Sequence, residues 1–232
     1  METKPLSSSP RKPGFWLWCG ASLALSIWIG VDLLVPHRSS IRDFDAGEVA
    51  RLETAMWRSY YDKKPVLLFW QLAKGLREQF HAPFWRSFKL GFQATKAAFA
   101  FKQSGRLRTS NQQALPELIT YYSAIQDLAV EKFDVPKVAE LELEWWIVHR
   151  QRKRYSYADL ANALGKTTAA LYNQPTDSFT TYGRLRANSM RLCDEVRQKP
   201  GGATELDWQR IDQELVQAWR ALHESVRLSD VH

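Results

Sequence analysis

The chain of 232 residues is long enough for one sizeable hydrophobic core or for two small domains. Lysine and arginine outnumber aspartate and glutamate by 32 to 25, and the resulting net charge of +7 favours anionic partners without distinguishing phospholipid from nucleic acid. The two cysteines, Cys19 and Cys193, are too few for a disulfide framework or a thiolate metal site.

The beginning of the chain predicts a membrane anchor. Residues 1–13 form a basic, polar tail, and residues 14–36 are expected to form a transmembrane helix, because residues 15–35 contain a single charge, Asp32. A helix of those 21 residues rises about 30 Å, so the lipid bilayer is the predicted partner of residues 15–35. A cleaved signal peptide is the alternative, but no small-x-small cleavage site follows the apolar run. By a margin of one basic residue, the positive-inside rule predicts an inside N-terminus and a main domain on the outer face.

After a short linker at residues 37–43, residues 44–132 predict four helices. Apolar residues recur at helical spacing after Asp45, which can cap the first helix, and Glu48 is expected to support that cap. Proline suits the first turn of a helix because it has no backbone N–H to leave unpaired there. The four helices are expected to start at Asp45, Pro65, Pro83 and about Gln112.

Residues 133–230 predict four more helices. Asp134 can cap the first, which is expected to run to about Arg154, and Ser156 with Asp159 forms a capping box for the second. The last two are expected to start at Asp177 or Ser178 and at Thr204. The chain shows no alternating strand pattern, so the predicted fold class is all-α.

One stretch of the sequence occurs twice, which predicts an internal duplication. Residues 44–53 reappear 89 positions later as residues 133–142, with the shared pattern F-D-x-x-x-V-A-x-L-E. The correspondence continues at two more pairs of positions, Trp57 with Trp146 and Tyr60 with His149. The predicted architecture is therefore an N-terminal transmembrane helix followed by an eight-helix domain, built from two tandem four-helix repeats about a pseudo-twofold axis.

The duplicated helices place acidic and aromatic residues on one face. Side chains at positions i, i+4 and i+7 lie close together around a helix. The candidate site residues are Glu53, Trp57 and Tyr60 in the first half and Glu142, Trp146 and His149 in the second. A carboxylate in such a setting needs a partner, because burying an unpaired charge costs several kcal/mol.

Three interpretations of these residues are compatible with the sequence. In the first, Glu53, Glu142 and His149 bind iron or manganese, loosely resembling the di-iron carboxylate bundles, although the chain has no Glu-x-x-His pair. Further ligands would come from Glu48, Glu117 or Glu144. In the second, the two glutamates form ion pairs or hydrogen bonds in the core with Arg58, Arg77, Arg150, Tyr121 or Tyr122. In the third, the aromatic and acidic residues line a binding pocket without metal.

A basic run follows the second copy of the motif and comprises Arg150, Arg152, Lys153 and Arg154. Such cations either complement a helix C-terminus and stay solvated, or contact anionic lipid headgroups. No recognition-helix or aromatic-platform signature accompanies the run, so nucleic acid is not a predicted partner. Cys193 is not expected to act as a nucleophile, because the acidic residues beside it raise its pKa.

The preferred function is non-catalytic binding or scaffolding within a membrane assembly, with a protein partner that the sequence does not identify. The alternative is a membrane-attached oxidoreductase with a carboxylate-bridged di-metal site at the interface of the repeats. Only this alternative implies a cofactor, which would be iron or manganese.

Overall fold

The structure is a computed structural model that describes residues 14–104 and 112–228, with side chains described for residues 18–104 and 112–227. It divides into two compact units, residues 1–35 and residues 36–232. The predicted basic tail lies outside the described residues.

The first unit contains one helix, α1, which spans Gly14–Leu34. Most of the large apolar side chains described in α1 are exposed: Trp18, Leu23, Leu25, Ile27, Trp28, Val31, Leu33 and Leu34. In the part of the chain that the structure describes, no helix is both long enough and apolar enough to cross a membrane. The predicted transmembrane anchor at residues 14–36 is therefore not supported. The predicted orientation depended on that anchor and is likewise without support.

Over its described residues, the second unit is built from eight helices, which confirms the all-α prediction. They are α2 (Ala46–Tyr61), α3 (Pro65–Phe80), α4 (Phe84–Gln103), α5 (Leu115–Leu128), α6 (Val135–Arg150), α7 (Tyr157–Tyr172), α8 (Thr180–Arg197) and α9 (Glu205–Leu228). Short 3-10 turns at Gln112–Ala114 and Thr176–Phe179 precede α5 and α8. Among the described residues there is no strand, and one isolated bridge joins Ser39 to Ala129.

The eight helices pack side by side in a closed ring. Each helix from α2 to α8 contacts the next one along the chain, and α9 returns to contact α2. Because the first and last helices of the unit also meet, the inner faces of all eight surround one common interior. The apolar stripe of each helix supplies the core between neighbours.

Side-chain caps fix where several helices begin. The Asp45 carboxylate accepts from the Glu48 backbone N–H at 2.9 Å, and Asp134 accepts from the Lys137 N–H at 3.0 Å. Ser156 starts α7 with the predicted capping box. Other boundaries differ from the prediction. The helix α6 ends at Arg150, four residues early, and a 3-10 turn takes the place of the expected first turn of α8.

The segment predicted as a linker, residues 37–43, packs against the helical unit. Ser39 exchanges backbone hydrogen bonds with the end of α5, and the side chain of Ile41 is fully buried. The carboxylate of Glu131 accepts from the backbone N–H of Ile41 at 3.0 Å. This segment therefore belongs to the second unit.

The two halves of the unit share local geometry. The helices α2 and α6 each contain 16 residues, as do α3 and α7. The residues that end α3 and α7, His81 and Asn173, both adopt the left-handed conformation, with φ of 50° and 51°. A proline then precedes the next helical segment in each half, Pro83 and Pro175.

Candidate functional site

A cavity of about 680 Å³ occupies the common interior of the eight helices, and every one of them contributes to its wall. Most of the lining side chains are aliphatic or aromatic; the aliphatic ones include Leu52, Met56, Leu72, Leu76, Leu164 and Met190. Four of the lining side chains are tryptophans: Trp57, Trp145, Trp146 and Trp219. The wall also contains the uncharged polar residues Gln71, Gln79, Thr95, Thr167 and Thr168. Its charged residues form two groups, each centred on a glutamate.

The first polar group is centred on Glu53, whose exposed fraction is 9 %. Its carboxylate forms an ion pair with Arg186 of α8 and accepts a hydrogen bond from the indole N–H of Trp219 at 2.8 Å. The guanidinium carbon of Arg186 lies 5.0 Å from the ring centroid of Trp57, within range of a cation–π interaction. Burial, the largest single influence, acts to lower the pKa of Arg186, but Glu53 and Tyr182 together outweigh it and hold the pKa above its ordinary value.

The second polar group is centred on Glu142 of α6. Its two carboxyl oxygens accept hydrogen bonds from the hydroxyl of Tyr122 at 2.9 Å and from the indole N–H of Trp146 at 3.0 Å. Burial raises the pKa of Glu142, and the indole of Trp145, these two donors and the nearby charge of Arg186 oppose that rise. The carboxyl group is therefore hydrogen-bonded but disfavoured in its charged form.

The two glutamates are held in corresponding ways. Glu53 is bound by an aromatic donor from α9, the last helix of the second half. Glu142 is bound by an aromatic donor from α5, the last helix of the first half. Each glutamate on the leading helix of one half thus meets the closing helix of the other half.

The structure places five of the six candidate residues around this cavity: Glu53, Trp57, Tyr60, Glu142 and Trp146. Tyr60 lies at the edge of the cavity and is 64 % exposed. His149 is not among the lining residues, and its Nε2 atom lies 3.4 Å from the carboxylate of Asp194. Two helical turns, or about 10 Å, separate His149 from Glu142 along α6, so the shared helix face does not bring the two side chains to one point.

The residues considered as further metal ligands lie in other contacts. Glu48 is paired with Lys74 and Glu117 with Lys96, each at 3.0 Å. Glu144 lines a separate cavity of about 220 Å³ between α6 and α7. Within the described ranges, no three histidine, cysteine, aspartate or glutamate side chains are arranged to hold a metal ion.

The arginines considered as partners of the glutamates bind elsewhere. Arg58 forms an ion pair with Glu205, and Arg77 lies over the ring of Phe84. The partner found for Glu53, Arg186, lies 133 residues further along the chain. No local spacing links positions that far apart, so the sequence alone gave no signal for this pair.

The basic run after α6 is partly used in packing. Arg150 donates to the backbone carbonyl of Phe101 at 2.7 Å and lies over its ring. Arg152 donates to the carbonyl of Tyr155 at 2.6 Å. Lys153 and Arg154 are exposed. Contact between the basic run and lipid headgroups stays a prediction. Lys153 and Arg154 are the two side chains of the run that are exposed enough to make it.

Cys193 is buried in α8, and burial is the main cause that raises the pKa of its thiol to about 12. The nearby charges of Asp194 and Glu53 act in the same direction. The thiol is therefore protonated at neutral pH, and a nucleophilic role is not favoured.

Comparison with known proteins gives no family to which the chain can be assigned: no family model, no curated protein and no solved structure matches it. The function is therefore argued from the site alone. Chemically, the site offers an apolar interior, one buried ion pair and one hydrogen-bonded carboxyl group. This combination is suited to holding a ligand of mainly apolar character.

Proposed function

We propose that the helical unit is a binding protein that holds a small, largely apolar molecule in its interior. The cavity of about 680 Å³ carries this proposal. Ligand pockets in proteins span about 300–1,000 Å³ and are lined mainly by apolar and aromatic side chains, with a few placed polar groups. The cavity has this size and this composition.

The buried polar contacts support a cavity that is formed before a ligand arrives. The ion pair of Glu53 with Arg186 joins α2 to α8, and the hydrogen bond from Trp219 adds α9. Tyr122 joins α5 to α6 through Glu142. Buried polar contacts hold their elements in one arrangement because breaking them leaves an unpaired group behind.

The edge of the cavity offers a route for an apolar ligand. Tyr60, Pro65, Thr95 and Ala98 are exposed and also line the cavity. The opening therefore lies between the end of α2, the start of α3 and the second half of α4. Val66, next to this edge in the chain, is 84 % exposed. Exposed apolar side chains beside an opening favour the approach of apolar molecules.

The proposal predicts that filling the cavity abolishes binding without unfolding the protein. Gly75 lines the cavity, and a Cβ atom placed there would meet no atom within 4 Å. We expect Gly75→Leu to occupy space in the cavity and to favour the helix. The measurement is a fluorescence titration of the full chain with N-phenylnaphthylamine, an uncharged apolar probe, followed by thermal unfolding of each variant.

The matched control is Gly75→Ala, which adds one carbon at the same position. Wild type and Gly75→Ala should bind one probe per chain, whereas Gly75→Leu should bind at least about tenfold more weakly, with an unchanged or higher unfolding temperature. Equal binding by all three proteins, or no saturable binding by wild type, would contradict the proposal.

We also infer that the unit arose by internal duplication. The sequence repeat, the matching lengths of α2 with α6 and α3 with α7, and the two left-handed residues that end α3 and α7 support this inference. The reciprocal donors to Glu53 and Glu142 are what two such halves about a pseudo-twofold axis would provide.

Attachment to a lipid layer through α1 is a further part of the proposal. Its support is the set of exposed apolar side chains along the helix, which lose contact with water when a lipid layer covers them. We expect the full chain to float with phospholipid vesicles in a density gradient, and the double variant Leu23→Asp, Ile27→Asp to remain with the soluble fraction. Flotation of both proteins alike would show that α1 is not the attachment. A full chain that does not float would contradict attachment to lipid through α1.

A further inference from the structure

We propose that the ligand of the cavity carries a neutral hydrogen-bond acceptor, of the ketone, ester or amide class, which accepts from the Nη1 group of Arg186. This inference rests on the proposed function and names the chemistry that the cavity selects. The observation that supports it is that the two terminal nitrogens of Arg186 differ: Nη2 donates a hydrogen bond and Nη1 does not.

One end of that guanidinium group is satisfied and the other is not. Nη2 donates to the carboxylate of Glu53. Nη1 is buried and makes no hydrogen bond of acceptable geometry. The Tyr182 hydroxyl lies beside the guanidinium group and helps to raise the pKa of Arg186, but it leaves Nη1 unsatisfied. Arg186 lines the cavity, and its side chain is 12 % exposed. A buried donor on a charged group that lacks a partner is costly, so a ligand that supplies an acceptor gains affinity.

The geometry of the guanidinium group restricts where that acceptor lies. The ring of Trp57 covers one face of the group, with the guanidinium carbon 5.0 Å from the ring centroid. The N–H bonds of arginine point outward in the plane of the guanidinium. The acceptor of the ligand must therefore approach at the edge of the group, in its plane, with the apolar body of the ligand extending into the aliphatic part of the cavity.

The charges around the cavity favour a neutral acceptor over a carboxylate. Arg186 is already paired with Glu53, and Glu142 lines the same cavity. These three side chains together carry no net positive charge, whether Glu142 is ionised or protonated. An anionic ligand would place an unbalanced negative charge in an interior of low polarity, whereas a carbonyl group would use the same donor without that penalty.

The experiment compares ligands that share one chain length and differ only in the polar group. A medium-chain methyl ketone, the corresponding alkane and the corresponding carboxylic acid at neutral pH each displace N-phenylnaphthylamine from the full chain. We expect the ketone to bind about 10- to 100-fold more tightly than the alkane, as a hydrogen bond to a charged donor provides. The carboxylic acid should bind more weakly than the ketone.

Two variants connect that preference to Arg186. The double variant Glu53→Gln, Arg186→Met removes the donor without leaving a buried charge unpaired, and Arg186→Lys keeps the charge beside Glu53 but removes the planar Nη1 group. In both, the preference for ketone over alkane, measured as the ratio of the two affinities within each variant, should fall to within about threefold.

The outcomes separate this inference from the proposed function. If wild type binds neither the probe nor any of the three ligands, both are wrong. If the probe and the alkane bind but the ketone is no better than the alkane, only the inference is wrong. The inference also fails if the carboxylic acid binds most tightly, or if the variants keep the preference for the ketone.

Discussion

Arg186 is the side chain that connects the polar groups of the interior. It pairs with Glu53, lies over Trp57 and favours the charged form of Glu142. A charge in such a place is tolerated only because its partner is equally buried. Removing one member of the pair should therefore be more damaging than removing both.

We expect Arg186→Met to lower the free energy of unfolding by about 3–5 kcal/mol, because it leaves the carboxylate of Glu53 without its counter-ion. The double variant Glu53→Gln, Arg186→Met should recover a large part of that loss. Arg191→Met is the control on the same helix, since Arg191 forms an ion pair with Glu195 that is far more exposed, and it should cost less than about 1 kcal/mol. Urea unfolding of the four proteins measures these differences. Equal losses in the single and double variants would contradict this account of the pair.

The carboxyl group of Glu142 predicts a dependence of stability on pH. Its pKa in the folded protein lies above the ordinary value of 4.5, chiefly because of burial, so the folded state holds the proton more tightly than the unfolded state. The stabilising contribution of Glu142 is therefore fully present at low pH, where its carboxyl group is protonated. It declines as the pH rises from about 4.5 through the folded-state pKa.

Glu142→Gln should remove this decline, so that the stability of the variant relative to wild type increases as the pH rises. The measurement is denaturant unfolding of both proteins across the acidic to neutral range. Glu140→Gln, which alters an exposed glutamate on the same helix, controls for the loss of one charge. A difference between wild type and Glu142→Gln that is constant with pH would show that burial does not perturb this group.

The sequence was informative about some of these residues and silent about others. The repeat selected Glu53 and Glu142, and both line one cavity, because residues at equivalent positions of duplicated helices face equivalent surroundings. His149 was grouped with them by its angle around the helix, but the rise along the helix axis carries it out of reach. Arg186 and Trp219 meet Glu53 only through the tertiary fold, so no spacing in the sequence indicates them.

At the scale of the helices, the contact of α7 with α8 depends on a glycine. A Cβ atom at Gly183 would overlap the backbone carbonyl oxygen of Ala161 and would lie 3.3 Å from the backbone nitrogen of Gly165. Backbone atoms of a packed helix cannot rotate away as a side chain can. The two helices can approach this closely only because Gly183 has no side chain.

Gly183→Ala should therefore separate α7 from α8 and lower the free energy of unfolding by at least about 2 kcal/mol. Gly75→Ala is the matched control, because it makes the same change within a helix where the added atom meets nothing within 4 Å. It should instead stabilise the protein by about 0.5–1 kcal/mol. Thermal and denaturant unfolding of the two variants measure the contrast, and similar effects of both substitutions would count against the close helix contact.

Helix starts were more accessible to prediction than helix ends and turns. The caps at Asp45, Asp134 and Ser156 depend on a few neighbouring residues, and each forms the contact that its sequence predicts. The side chain of Glu48 does not reinforce the Asp45 cap as expected, because its carboxylate accepts hydrogen bonds from Arg51 and Lys74 instead. The segment at residues 37–43 looked like a linker by composition, but burial of Ile41 depends on surfaces formed by distant helices.

At the scale of the whole molecule, the periodicity of the helices predicts which face of each is buried but not which helices meet. The contact of α9 with α2 closes the sequence of neighbours and creates the interior. That closure turns eight amphipathic segments into the wall of one cavity. For the apolar N-terminal segment, the composition predicted a helix, and α1 confirms it. The transmembrane span predicted for the same segment is not supported.

The most direct test of the central claim, that the interior of the helical unit is a ligand site, is to locate a bound ligand. Crystals of the full chain grown with a brominated aryl methyl ketone allow the bromine to be placed by anomalous scattering. We predict a single bromine position inside the cavity, among Leu72, Leu164 and Met190, with the ketone oxygen within hydrogen-bond distance of Nη1 of Arg186. A saturated complex whose bromine lies only outside the cavity would contradict the claim.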